Sequence, residues 1–269
     1  MYFPRVMFPN RNRVFQTVIF PLILTALLAS CQNKSKPMEA DPAFAPYIDA
    51  YTTGVISKTS SIRIQLAGTV LSTHTIGQPV KEDLFSFSPS VKGKAVWTDA
   101  RTIEFRPDKH LDPDQLYTVS FELGKAAKVP DKFNTFRFSF KTTKPAFLVR
   151  QTGLRSTGDR KGMYLTGEIS TADWEEGAKV EKMLEAKQYG QTKTISWQHS
   201  EGNRLHTFTI RGIERIAQTS SLDLNWKGSF IGSAKTGKLS VEVPAQGVFS
   251  ILEVMPVNEA QQYASILFS

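Results

Sequence analysis

Few side chains in this 269-residue chain could do chemistry, and the most informative is Cys31, its only cysteine. It follows Leu28-Ala29-Ser30 at the end of an apolar stretch, Val14 to Leu28, that is broken by Gln16, Pro21 and Thr25. A thiol in that setting is placed for acylation, and the small residues at 29 and 30 suit the narrow pocket of a signal peptidase cutting between Ser30 and Cys31. The four histidines, His74, His110, His199 and His206, lack the spacing of metal ligands. His199 and His206, the closest pair, lie either side of Gly202 across an expected turn and read as surface or cross-strand histidines. Asp112 and Asp114 flank Pro113, which suits a turn and offers too few oxygens for calcium. Ser156-Thr157-Gly158-Asp159-Arg160-Lys161-Gly162 is basic and contains glycine. It lacks the Gly-Lys-Ser/Thr ending and strand-to-helix setting of a phosphate loop, and reads as a hairpin. No serine sits in a Gly-x-Ser-x-Gly elbow. The sequence therefore predicts no catalytic residue, no metal site and no cofactor, and the chain is expected not to be an enzyme.

The setting of Cys31 predicts export. Arg5, Arg11 and Arg13 precede an apolar run too short and too broken to span a bilayer stably, so residues 1–30 read as a signal peptide. Its end resembles the bacterial lipobox, in which the cysteine thiol takes diacylglycerol before cleavage, so the mature chain is expected to begin at Cys31. Acyl chains contribute about 0.8 kcal/mol per buried methylene, enough in combination to hold a protein on a membrane without a spanning helix. The implied partner is thus the lipid bilayer, reached through acylated Cys31. Residues 31–43 form a tether, polar from Gln32 to Met38 and without an early acidic run, which favours a chain facing the periplasm. Loss of residues 1–30 lowers the formal charge from +8 to +5. The remaining Lys and Arg are scattered, no cluster interleaved with aromatics marks a nucleic-acid groove, and no nucleic-acid partner is expected. With its one thiol committed the chain forms no disulfide, so apolar cores must hold it in an oxidising compartment. Eighteen Phe and four Trp supply them.

Residues 44–143 follow period-two patterning. Ile62, Ile64 and Leu66 alternate with polar residues, and so do Phe85 and Phe87, Ala95 and Trp97, Ile103 and Phe105, the run Tyr117 to Leu123, and Phe136, Phe138 and Phe140. Each run predicts a strand with one buried face, and turn residues such as Pro89-Ser90, Gly93 and Pro107-Asp108 separate them. About seven short strands in roughly 100 residues predict an Ig-like sandwich of two sheets. Leu111, Pro113 and Tyr117 have the arrangement of a tyrosine corner, in which the phenol bonds upstream backbone and pins a cross-sheet loop.

Lys144-Pro145 marks a boundary, and the alternation restarts at Phe147 and Val149. A second sandwich is expected over 144–256, with strands at Met163 to Ile169, Ile195 to Trp197, His206 to Ile210, Leu222 to Trp226 and Leu239 to Val243. Trp174 to Gln188 reads as a short helix or an irregular crossover, since its Glu, Lys, Met and Leu suit a helix while Gly177 weakens one. Residues 257–269 read as the truncated start of a third domain, whose unpaired apolar strand is an association hazard. The chain is expected to be the N-terminal part of something longer.

Ala43 to Ile48, Ser57 to Ile64, Phe87-x-Pro89-x-Val91-x-Gly93 through Trp97, Arg101 to Pro107, Leu111-x-Pro113-x-x-x-Tyr117-x-Val119, Ile195 to His199 and His206 to Ile210 form a further set of segments. Together they resemble the N-terminal domains of bacterial alpha-2-macroglobulin lipoproteins of the Bacteroidetes type. The resemblance covers essentially the whole mature chain, and Tyr263 to Ser269 resembles the opening of the next domain in that family. It implies an all-β chain: tandem Ig-like, macroglobulin-like β-sandwich domains after a lipoprotein signal peptide. It also implies a protease trap that closes when a bait segment is cut and, in many members, captures the protease through a Cys–Gln thioester. This chain has no cysteine after Cys31, so it can carry the anchor and the first scaffold domains but not that thioester. Target proteases are expected as partners only through missing downstream domains. Two rival readings are a stand-alone Ig-like ligand-binding or adhesin-type lipoprotein, and a hydrolase built from distant residues such as an Asp with His110 or His206.

Overall fold

In the computed structural model, residues 36–68, 75–158, 162–258 and 262–269 are described. Ser30, Cys31, the whole expected signal peptide, residues 31–35 of the tether, His74 and residues 159–161 lie outside them.

The alternation of the first half folds into eight strands: β1 (Ile48–Tyr51), β2 (Gly54–Ile56), β3 (Ile62–Leu66), β4 (Phe85–Ser88), β5 (Gly93–Trp97), β6 (Thr102–Pro107), β7 (Leu116–Phe121) and β8 (Phe136–Thr142). Two four-stranded sheets result, ordered β1-β3-β6-β5 and β2-β8-β7-β4, with every pairing antiparallel except the parallel β2–β8. One sheet turns Ile62, Ile64, Leu66, Ile103 and Phe105 inward, and the other meets them with Tyr117, Val119, Phe121, Phe136, Phe138 and Phe140. Aromatic rings interlock within and across the layers, as where Phe87 meets Phe105 with centroids 4.6 Å apart and Phe85 meets Phe121 at 5.0 Å. Burying each such side chain contributes about 1.5–3 kcal/mol, so this sandwich holds itself without a cross-link. A single helical turn, α1 (Leu123–Ala126), follows β7.

The second half comprises β9 (Phe147–Ser156), β10 (Gly162–Thr171), α2 (Gly177–Glu181), β11 (Leu184–Gln188), β12 (Gln191–Thr192), β13 (Ile195–His199), β14 (Leu205–Glu214), β15 (Ser220–Lys227) and β16 (Thr236–Val243). Its sheets run β13-β14-β10-β9 and β12-β11-β15-β16 around a mainly aliphatic core of Met163, Leu165, Ile169, Ile210, Leu222, Leu224 and Val243. Gly167 in β10 lies under the Phe208 ring, and a Cβ there would meet that ring and the Arg150 carbonyl 2.7 Å away. Glycine is therefore what lets the aromatic lie flat on its neighbouring strand.

Two details differ from expectation. Over 174–188 the expected short helix is present, five residues long, but Leu184–Gln188 is a strand paired to β15 from Leu184 opposite Trp226 to Lys187 opposite Asp223. Helix-forming residues gave way because pairing buries Leu184, Ala186 and Gln188 on one face. The expected boundary at 256/257 falls inside β17 (Ile251–Asn258), which pairs with β18 (Gln262–Phe268) as a separate two-stranded ribbon. The ribbon is held by Leu252 against the second core, by Glu253 facing Arg155 at 3.6 Å, and by Ser269, which bonds the backbone of Val248 and Ser250.

The protein is thus all-β: two tandem β-sandwiches and a ribbon, within one unit spanning residues 37–269. Among the described residues no helix is long and apolar enough to cross a membrane.

Candidate functional site

The densest buried polar cluster among the described residues lies where the two sandwiches meet. Its first half is the loop after β2, Ser57 to Ser60, and its second is the loop after β10, Ala172 to Glu176. Lys58 Nζ stands 2.9 Å from Glu175 Oε2, with side chains only 10% and 5% exposed. Asp173, also buried, accepts from three donors: Ser57 Oγ at 2.5 Å, the Lys58 N–H at 2.8 Å and the Trp174 N–H at 2.8 Å. Backbone bonds hold both loops from behind, since the Leu111 N–H donates to the Lys58 carbonyl at 2.9 Å and the Glu175 N–H to the Asn203 carbonyl at 2.9 Å. The Trp174 ring meets His110 edge-on at 4.4 Å, with Lys58 Nζ 5.6 Å from its centroid. Two opposite charges out of water, beside an Asp173 carboxylate whose oxygens accept three hydrogen bonds, fix one relative position of the groups that carry them.

Tyr117 supports this joint at one remove. It is 2% exposed, and its phenol oxygen accepts the Asp112 N–H at 3.0 Å. Thr142 Oγ1 donates to the Asp112 carbonyl at 2.5 Å and accepts the Gln115 N–H at 2.9 Å. Those bonds set the loop from 108 to 115, which brings Leu111 to Lys58 and His110 to Trp174. Burial holds the Tyr117 phenol above its ordinary pKa, so it stays protonated.

His199 and His206 face each other across β13 and β14, with their Nδ1 atoms 2.8 Å apart, and His199 Nε2 lies 3.1 Å from Glu181 Oε1. An ionised Glu181 only accepts, so His199 donates from Nε2 and presents its Nδ1 lone pair to His206. His206 then donates from Nδ1 and leaves its Nε2 lone pair inward, fully buried and without a hydrogen-bond partner among the described residues. Burial, and next the neighbouring His199, push the His206 pKa below its ordinary value. A substrate has no access to a ring that is 0% exposed.

Asp114 takes a left-handed turn conformation, with φ of 55°, and pairs with Lys141 at 2.5 Å. Thr157 closes the β9–β10 hairpin by donating to the Gly162 carbonyl at 2.9 Å. Among the described residues no group of three His, Cys, Asp or Glu is placed to hold a metal ion. A groove of about 640 Å³ crosses the outer face of the sheet containing β3 and β6, between Tyr51, Arg63, Glu104 and Arg106. Burial works to raise the Glu104 pKa. Hydrogen bonds from Arg106 and Ser61 and the charges of Arg63 and Arg106 outweigh that effect and hold it below the usual value.

Sequence reasoning singled out Cys31, Ser30 and Tyr117 but missed the joint. Its only local signal was Asp173-Trp174-Glu175, a tryptophan between two carboxylates just past a strand, and nothing in the sequence paired it with Lys58, 115 residues away.

No protein-family model matches the chain, and no curated protein matches it. Among solved structures it is similar to an L,D-transpeptidase from Mycobacterium tuberculosis H37Rv, at 16% identity over 57% of this chain and 67% of that one, with a TM-score of 0.26. It is also similar to L,D-transpeptidase 3 from Mycobacterium tuberculosis in complex with a faropenem-derived adduct, at 11% identity over 74% and 76% of the chains, with a TM-score of 0.25. Likeness at that level carries no argument about activity.

Proposed function

We propose that this chain is a lipid-anchored, non-enzymatic scaffold of the bacterial cell envelope, the N-terminal part of an alpha-2-macroglobulin-like endopeptidase inhibitor. The observation that carries the scaffold reading is the joint of Lys58, Asp173 and Glu175, which places buried charge where it orients one sandwich against the next. The anchor rests on the setting of Cys31, and the family on the segments quoted above. Such a chain holds the domains that follow it at a fixed orientation to its first sandwich, at the end of the tether, while bait and capture chemistry belong to those domains.

Two measurements test the reading. Intact-mass analysis of membrane-extracted protein is expected to give a chain beginning at Cys31 with diacylglycerol on its sulfur, and Cys31→Ala is expected to block processing. An unmodified thiol would remove the anchor. Incubation with endopeptidases is expected to give no covalent adduct, and trapping by this chain alone would overturn the division of labour. The groove beside Arg63 and Arg106 favours one second reading, a stand-alone binding lipoprotein. Saturable binding of an anionic glycan, lost in Arg63→Ala, would support it instead.

A further inference from the structure

The most apolar exposed surface among the described residues belongs to neither sandwich. Within the ribbon the register sets Ile251 opposite Phe268, Val254 opposite Ile266 and Pro256 opposite Ala264, which puts all six on one face. Of these, Ile251 is 60% exposed, Val254 55% and Ile266 46%. Phe249, 76% exposed, extends the face by stacking on Phe268 with centroids 4.6 Å apart. None of these seven residues is charged, and Asn258 opposite Gln262 closes the far end of the face. Glu253, on the opposite face, is half-buried and makes the attachment to Arg155.

We propose that two copies of this chain associate by stacking this ribbon face on its two-fold mate, so that the two ribbons become the layers of an intermolecular sandwich. Area supports a protein partner. With about 150–250 Å² for a whole aromatic side chain, the exposed portions of these seven residues total roughly 600 Å² per copy. Two copies together then bury on the order of 1,200 Å², past the ~1,000 Å² that a specific interface needs. Strand edges argue against a bilayer as the occupant. Among the described residues the ribbon consists of β17 and β18 alone, so both outer edges lack a ladder partner, and hydrocarbon would leave their N–H and C=O groups unsatisfied. Stacked face to face, those edges stay at a wet rim. The face has no charge with which to select a different protein, whereas a second copy offers the same area and shape about a two-fold axis. Domains following Ser269, as in the function proposed above, would compete for this face, and coverage by them would leave no dimer.

The test is cross-linking of the full chain in intact membranes. Ala264→Cys treated with a bismaleimide is expected to give an adduct of twice the chain mass. The parent chain, whose one cysteine is Cys31, sets the background, and Ala178→Cys, on the exposed side of α2, is expected to stay at it. Adding Ile266→Asp to Ala264→Cys places a charge in the stacked layer and is expected to lower the adduct about tenfold or more. Val254→Asp is the independent repeat, and unchanged protease resistance of either variant reports that the sandwiches are intact. The proposal is overturned if Ala264→Cys gives no dimer, if the aspartates leave the dimer unchanged, or if the adduct has the mass of another protein. Shielding of the thiol introduced by Ala264→Cys from a water-soluble maleimide, without any dimer, would assign the face to lipid and overturn it equally.

Discussion

At the joint, Lys58 and Glu175 are charged and kept from water; in the ribbon, Val254 and Ile266 are apolar and open to it. The joint is stable as it stands because neighbouring groups complete it. Asp173 receives three donors, and the Lys58 carbonyl receives the Leu111 N–H, so these buried groups are satisfied from within the chain. The ribbon is attached through one face, by Leu252 and Glu253, and leaves the other in water. Buried charge with its counter-charge present marks a finished contact within one chain, whereas uncovered apolar surface of interface size marks one that needs another surface.

The largest test of that contrast lies at the joint. Lys58→Ala leaves the Glu175 carboxylate buried and unpaired and is expected to cost about 3–5 kcal/mol, whereas Lys58→Met with Glu175→Leu is expected to restore most of it. Calorimetry should resolve the single variant into two separate melting transitions, one per sandwich, where the parent melts as one. A variant that melts with the parent would mean the pair is ornamental and the sandwiches are coupled elsewhere.

Acid should reveal the next effect. The folded pKa of His206 is depressed, so below about pH 6.5 the unfolded chain binds a proton that the folded one refuses. Stability from this group is therefore complete above that pH and falls as pH drops toward the folded pKa, by at most about 1.4 kcal/mol per pH unit. Glu181 and His199 lie on its exposed side. Urea titrations at pH values of about 7.5 and 5.5, either side of the ordinary histidine pKa, are expected to differ less for His206→Gln than for the parent. Equal differences would place the proton uptake elsewhere. Smaller again is Tyr117→Phe, which removes the acceptor of the Asp112 N–H and is expected to lower stability by about 1 kcal/mol. An unchanged urea midpoint would mean that water replaces the phenol there.

How far the sequence reveals this molecule depends on the distance over which each feature is encoded. Phe136, Phe138 and Phe140 declare a strand and its buried face within a few residues, and all three are buried as their alternation predicts. The short strands β1 and β2 are invisible by the same criterion, because Ile48–Tyr51 and Gly54–Ile56 are too short to alternate and owe their pairing to β3 and β8. Strand β11 is hidden by composition, since Leu184-Glu185-Ala186-Lys187 has helical propensity that pairing with β15 overrides. The His199–His206 pair was half visible. A turn at Gly202 puts them on facing strands, but the full burial of His206 depends on what packs over that strand from elsewhere in the chain. Lys58 was not visible at all, because a lysine in a loop reads as solvated until a carboxylate from another sandwich closes over it.

The smallest expected effect sharpens the contrast most. Ile266→Asp puts a charge where an apolar side chain now stands, a change that in either core would cost several kcal/mol. Ile266 is 46% exposed and belongs to neither core cluster, so at dilutions where the chain is monomeric its unfolding free energy is expected to stay within about 0.5 kcal/mol of the parent's. Dilution matters because association stabilises whatever it covers and makes the midpoint depend on concentration. The parent is therefore expected to gain stability with concentration and the variant not to. If Ile266→Asp costs about 2 kcal/mol or more at every dilution, the face is covered within a single chain, and the ribbon is a finished contact like the joint.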